Sequence, residues 1–363
     1  MFNKQIIIAA AAVTMMAGTA YAEPGDYKYQ EPSGTYSIVA FDPDTGELGV
    51  AVQSNTISVG SRVRWGRAGV AAIASQASSN PMMGEIGVLL IQRGFTAVEA
   101  RDMLVAMDNG ANNRQFAIVD TQGNSAGWTG SSNSGWAGHI CALNFCVEAN
   151  TMTGPEVVND MAIAYMTATG EGLPLAERLL AALEAAEAAG GDRRGTQSAG
   201  LMVFRERAIA GYGDWALDIR VDESQAPIPE LRRIYNANIA GRATQGLAQI
   251  IEAGDYEEAL TRINAALELD PLRDAAYLQM ADVYVAMGDL PAAIEALAMS
   301  IELNPKAFNQ ILRDDDFEPI WADPAFLALG DISLFHPLEP SVPGGEGMPL
   351  PPMENMPAPW ATT

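Results

Sequence analysis

Between residues 35 and 225 the hydrophobic period switches back and forth between two and about 3.6, and that order restricts the fold more than any single motif. Three strand patterns (35–41, 47–53, 70–75) precede two helical ones (83–93, 96–107). Three more strands (115–120, 125–129, 142–151) precede two further helices (155–169, 173–189), and a strand pair (198–205, 215–222) closes the set. A period-two strand buries one face and an amphipathic helix one stripe, so every element needs a partner layer. Two antiparallel sheets enclosed by two helix layers, an α+β four-layer αββα sandwich over 35–225, cover all of those faces. Asp42-Pro43-Asp44-Thr45-Gly46 supplies turn residues after the first strand, and Thr96 and Glu99 stand at capping-box spacing.

The first strand starts on a hydroxyl residue directly after a glycine, in Gly34-Thr35-Tyr36-Ser37-Ile38. A cut at the 34–35 bond would give Thr35 a free α-amine that takes the proton from its own Oγ, so one residue supplies nucleophile and base. Upstream, Lys4, an apolar run over 6–17 and Ala20-Tyr21-Ala22 before Glu23 have the layout of a secretory signal, and the run is too short to span a bilayer. Residues 1–22 are therefore expected to be removed on export, with 23–34 a polar leader carrying Pro24 and Pro32. The mature chain is expected to be periplasmic or secreted, with no membrane span.

The net charge of −24 argues against nucleic acid and anionic lipid as partners. In an oxidising compartment the two cysteines, Cys141 and Cys146, are spaced to staple the arms of a hairpin. Pairing with His139 around a metal lacks further ligands at suitable spacing, and neither metal nor cofactor is expected. His139 and His336 are the only histidines, and His139 lies in a Trp-Ala-Gly-His turn far from any elbow-like serine, so a Ser-His-Asp triad is not indicated.

Four segments carry a family likeness: Thr35-Tyr36-Ser37-Ile38-Val39-Ala40, Gly46 to Val52, Asn80-Pro81 after Ser75-Gln76-Ala77, and above all Gly190-Gly191-Asp192-Arg193-Arg194-Gly195-Thr196-Gln197-Ser198-Ala199. They resemble the bacterial family known as domain of unknown function 1028, over about residues 35–235. That family is regarded as similar to the N-terminal-nucleophile (Ntn) hydrolases, and the resemblance implies their αββα sandwich and roles by position. Thr35 corresponds to the exposed threonine nucleophile. Ser75 or Gln76 falls where a backbone N–H meets the oxyanion. Asp192 and Ser198 fall where an aspartate and a serine orient the terminal amine. Ser54 occupies the neighbourhood of the carboxylate that supports the nucleophile in proteasomes, and the superfamily's lysine is missing. Arg62, Arg64 or Arg67 would supply positive charge, although a guanidinium is no base at neutral pH. Arg193 and Arg194 would bind a substrate carboxylate, or else pair with the carboxylates of this acidic chain.

After Ala226-Pro227-Ile228-Pro229 the character changes. Gly254, Ala259, Ala266 and Pro271 recur in phase as Gly288, Ala293, Ser300 and Pro305, the period of a tetratricopeptide repeat. An all-α repeat region over 230–330 follows from this, capped by a helix from Glu230 and by the segment with Trp321 and Phe326; 331–363 is a Pro-rich tail. Two functions fit. One is an exported amidohydrolase acting on a small amide or peptide substrate. The other is a non-catalytic periplasmic binding or scaffold protein that uses the sandwich and the repeat groove to recruit a protein partner. Self-association is left open by the sequence.

Overall fold

The computed structural model describes residues 34–211 and 213–330; the expected signal segment, residues 23–33 of the leader and the tail 331–363 lie outside them. The chain forms two compact units that divide between Tyr235 and Asn236.

The first unit is mixed α+β with two antiparallel sheets. Its elements are β1 (Thr35–Phe41), β2 (Leu48–Ser54), α1 (Gly60–Val63), β3 (Arg64–Arg67), β4 (Ala71–Ala77), α2 (Pro81–Gln92), α3 (Ala97–Met107), β5 (Arg114–Asp120), β6 (Ser125–Thr129), β7 (Trp136–Ala142), β8 (Phe145–Met152), α4 (Glu156–Gly170), α5 (Leu175–Ala188), β9 (Ser198–Ile209) and β10 (Gly213–Val221). The larger sheet has the order β10-β9-β2-β1-β8-β7 and the smaller β3-β4-β5-β6. Alternation along each strand decides what meets what. Val39, Val50 and Val52 of one sheet cluster with Ala72, Ala74, Ala117 and Val119 of the other. On its second face the smaller sheet gives Ile73, Phe116 and Ile118 to Met83, Val88 and Leu104 of α2 and α3. The second face of the larger sheet meets α4 and α5: the Phe145 ring lies 4.8 Å from that of Tyr165, and a Cβ on Gly49 would press on Leu175 and Leu179. The capping box of α3 is formed, with Thr96 Oγ1 accepting from Glu99 N and Glu99 accepting from Thr96 N.

Three features depart from the expected pattern. The strand expected over 142–151 is β8, which starts at Phe145, and an additional strand, β7, precedes it; the two form a hairpin turning at Leu143-Asn144, where Asn144 takes φ +73°. β7 is an edge strand, Trp-Ala-Gly-His-Ile-Cys-Ala, mostly half-buried on both faces, so it shows no clean alternation. Cys141 and Cys146 face each other in its register and are joined by a disulfide. The short α1 and β3, rich in Gly and Arg, carry no apolar period to announce them. The helix expected from Glu230 starts three residues earlier, as α6 (Pro227–Ala243); a proline costs nothing where the N–H has no intrahelical acceptor.

In the second unit α7 (Leu247–Glu252), α8 (Tyr256–Leu269), α9 (Asp274–Met287), α10 (Leu290–Leu303), α11 (Ala307–Ile311) and α12 (Pro324–Leu329) follow one another. The repeat shows as equivalent devices: Gly254 and Gly288 take φ +79° and +78°, and the next residues, Asp255 and Asp289, cap α8 and α10 by accepting from Glu258 N and Ala292 N. Ala259 and Ala293 are both fully buried, each in an apolar cluster of this unit. Phe317, Ile320 and Phe326 close the end of this core.

Asp282 on α9 gives this unit a pH dependence. Burial, with Asp314 and Asp316 nearby, pushes its carboxyl up to about 7. The native state then holds a proton that the unfolded chain gives up above its ordinary value of 3.8, so stability falls as pH rises from about 4 to about 7. Asp282→Asn is expected to stabilise the unit by roughly 2 kcal/mol above pH 7, the gain shrinking to nothing near pH 4. Urea unfolding of both chains across that range measures it.

Candidate functional site

One row of hydroxyl and amide side chains crosses the larger sheet where β1 begins. The register sets Ser198 of β9 opposite Ser54 of β2, Ser54 opposite Thr35, and Thr35 opposite Asn150 of β8. Thr35 is 2% exposed. Its Oγ1 donates to Ser54 Oγ at 3.0 Å, and Ser54 Oγ donates to the carbonyl oxygen of Gly34 at 2.5 Å. Arg194 Nη2 donates to that same carbonyl at 3.2 Å. The peptide bond that joins Gly34 to Thr35 thus has its oxygen held by a hydroxyl and a guanidinium, beside the hydroxyl of the very next residue.

Asp192 builds the wall of this corner. Its side chain is fully buried and accepts from Arg194 N at 2.9 Å, Arg194 Nε at 3.0 Å and Asn55 N at 3.3 Å, with Arg194 Nη2 at 2.6 Å as an ion pair. The turn that delivers it bends through Gly190 and Gly191 at φ +105° and +50°, backbone that L side chains rarely adopt. A Cβ on Gly34 would fall 2.5 Å from Asp192 Cγ and 2.6 Å from its Oδ1.

Beneath Thr35, between the sheets, lies a polar network. Gln76 Nε2 donates to the Thr35 carbonyl at 3.3 Å and to Gln115 Oε1 at 2.8 Å, and Gln76 Oε1 accepts from Ser37 Oγ at 2.8 Å. Gln115 Oε1 also accepts from Asn150 Nδ2 at 2.9 Å. Glu148 is wholly buried, reached by Ser37 Oγ at 3.3 Å, and burial pushes its carboxyl well above the ordinary range. The acid is therefore protonated in the folded chain at pH values where the unfolded chain has released the proton, and stability is lost as pH rises past its ordinary value of 4.5. Glu148→Gln is expected to flatten that loss, melting higher than the parent at pH 8 and converging with it near pH 4; thermal melts at the two pH values check this.

This segment of chain has known relatives. The model of the family of unknown function DUF1028 matches residues 35–231, more than half of the sequence, beginning on Thr35. The chain belongs to the DUF1028 family. A crystal structure of a DUF1028 protein from Silicibacter pomeroyi is similar at 30% identity and a TM-score of 0.51, covering 59% of this chain and 90% of that one. A tetratricopeptide repeat model matches residues 251–312; modules of that class serve protein–protein interaction. No curated protein matches the chain.

The expected site residues fare differently within this DUF1028 fold. Thr35, Ser54, Asp192 and Arg194 converge on Gly34. Gln76 also reaches Thr35, but through its side-chain amide. Ser75 turns the other way: alternation places it with Ile73 on the helix-covered face, and its buried Oγ has no hydrogen-bond partner among the described residues. Ser198 shares the row, yet its hydroxyl donates to Thr56 O and accepts from Val59 N at 2.9 Å, so it fastens the chain after β2 instead of facing Thr35. Arg62 gives its guanidinium to the carbonyl of Ile57 at 2.6 Å, within its own loop. Arg193 is exposed, its backbone N donating to Thr151 O at 3.3 Å. Sequence reasoning missed Ser37, Gln115, Glu148 and Asn150. The signal was there in a weak form, as polar residues on the inward phase of otherwise apolar strands.

A cavity of about 670 Å³ opens elsewhere, lined by Phe41, Asp42, Tyr165, Leu173 and Arg178 among others. Phe41 ends β1, so this cavity is about 20 Å from Thr35 at the usual rise per strand residue. Inside it Arg178 Nη2 pairs with Asp42 Oδ2 at 3.3 Å, both nearly buried. Among the described residues, no group of acidic, histidine or cysteine side chains is arranged to hold a metal ion, and no helix is long and apolar enough to cross a membrane.

Proposed function

We propose that the first unit is an Ntn-hydrolase-like αββα sandwich and an exported amidohydrolase whose nucleophile is Thr35, released by a cut at Gly34–Thr35. The observation that carries the reading is the chain of donors running from Thr35 Oγ1 through Ser54 Oγ to the Gly34 oxygen, with Arg194 on the same oxygen. In the cut, Thr35 Oγ adds to the Gly34 carbonyl carbon. Its proton passes to Ser54, and Ser54 gives its own to the carbonyl oxygen. The C–N bond then breaks as that proton moves to the leaving nitrogen, leaving an ester between Gly34 and Thr35 Oγ. Water hydrolyses the ester to a Gly34 carboxylate and a Thr35 with free amine and hydroxyl. The mature residue repeats the chemistry on a substrate amide, its amine taking the Oγ proton and returning it to the departing nitrogen. Ser54 and Arg194 stabilise the charge that develops on oxygen, and the Gln76 amide holds the backbone of the nucleophile in place.

Export is supported by the signal layout of residues 1–22 and by the Cys141–Cys146 disulfide, which persists in oxidising compartments. The domain limits proposed for the exported chain are residues 35–225 and 230–330, with the repeats offering a groove to a protein partner. An amine-terminal threonine is acylated by β-lactone electrophiles, and this tests the site. The mature protein is expected to gain one acyl adduct that maps to Thr35; a protein that gains none, or is labelled elsewhere, contradicts the assignment. A second reading rests on the 670 Å³ cavity beside Phe41: a binding protein that holds an apolar ligand there and carries out no reaction at Thr35.

A further inference from the structure

The corner that holds Gly34 also defines which acyl group a mature Thr35 would accept. We propose that the site is specific for glycyl and other acyl groups unsubstituted on the α-carbon, and excludes acyl groups with an α side chain; this rests on Thr35 being the nucleophile.

The ester formed when Thr35 attacks Gly34 is itself an acyl-enzyme, with a glycyl group as the acyl part. Gly34 therefore marks where the acyl portion of any substrate lies once its carbonyl oxygen is on Ser54 Oγ and Arg194 Nη2. At that place an L side chain would start 2.5 Å from Asp192 Cγ, closer than Cβ atoms approach other heavy atoms. A flexible side chain would swing aside, but Asp192 is held. Its carboxylate is tied by Asn55 N, by Arg194 N and by the Arg194 guanidinium, and its side chain has no exposed surface. Moving it would also carry off Arg194, which polarises the carbonyl under attack. Exclusion of a methyl group is thus coupled to the catalytic contact. The reaction breaks the glycyl C–N bond, the amine leaves with the proton supplied by Thr35, and water releases an acid ending in glycine.

The 4-nitrophenyl esters of N-acetylglycine and N-acetyl-L-alanine test this, because each acylation of Thr35 releases one nitrophenolate. Mature protein is expected to give a burst with the glycine ester at least about 50-fold faster than with the alanine ester. The Gly34→Ala precursor is expected to lose its leader more slowly by a comparable factor. Equal burst rates with both esters would overturn the specificity and leave the nucleophile standing. No burst above that of Thr35→Ala with either ester would overturn the nucleophile assignment, and the specificity with it.

Discussion

Thr35→Ala is expected to leave the Gly34–Thr35 bond whole and to lower amide hydrolysis by at least about 10³-fold, the scale on which loss of a nucleophile is felt. Folding should survive. Thr35 is buried and its hydroxyl makes one hydrogen bond, to Ser54, so its removal costs on the order of 1 kcal/mol. The chain keeps its β1 register with β2 and β8, which depends on backbone pairing. Thr35→Ser retains the hydroxyl and should retain cleavage, slowed by the looser rotamer of an unbranched side chain. Circular dichroism matched to wild type, together with loss of both reactions in the alanine variant alone, separates a chemical role from a structural one.

Asp192→Asn is expected to destabilise the first unit by about 3 kcal/mol and to suppress the cut at Gly34. The two effects have one origin. The carboxylate is fully buried and answers four donors, two of them on the Arg194 guanidinium. An amide of the same shape removes the charge and turns a donor toward a donor, so the buried ion pair with Arg194 is lost. Loss of that pair is expected to loosen the geometry in which Arg194 Nη2 meets the Gly34 oxygen at 3.2 Å. Arg194→Lys keeps a positive charge beside the buried Asp192 carboxylate while giving up the guanidinium fork that reaches the Gly34 oxygen, and the smaller loss of stability expected for it isolates the catalytic share. Denaturant midpoints paired with leader-loss rates give both numbers.

Much of this fold was legible because its strands and helices alternate cleanly. Thr35–Phe41 and Ser125–Thr129 fall where period-two patterning puts them, and Thr96 with Glu99 announced the start of α3. The repeat was readable from the phase of glycine, alanine and proline, since Gly254 and Gly288 each close a helix and Ala259 and Ala293 are each fully buried. What escaped lies at edges and in polar interiors. β7 is half-buried on both sides, so hydropathy gives it no face. The site was legible through Gly34, Thr35 and the Asp192-Arg193-Arg194 turn, but a sequence cannot say which hydroxyl in a row of three turns toward which partner. Ser54 points at the Gly34 carbonyl, while Ser198 is spent on Thr56 and Val59. The inward polar residues Gln115, Glu148 and Asn150 acquire meaning only when pairing stacks them beneath Thr35.

In the proposed reaction Thr35 becomes an amino terminus by the chain's own chemistry. Intact mass of the purified chain beginning at Glu23, followed over time at several protein concentrations, decides whether it does. First-order conversion, at a rate independent of concentration, to a species starting at Thr35 is expected, with no conversion in Thr35→Ala. A chain that stays at Glu23, or is trimmed equally well with alanine at position 35, would contradict it.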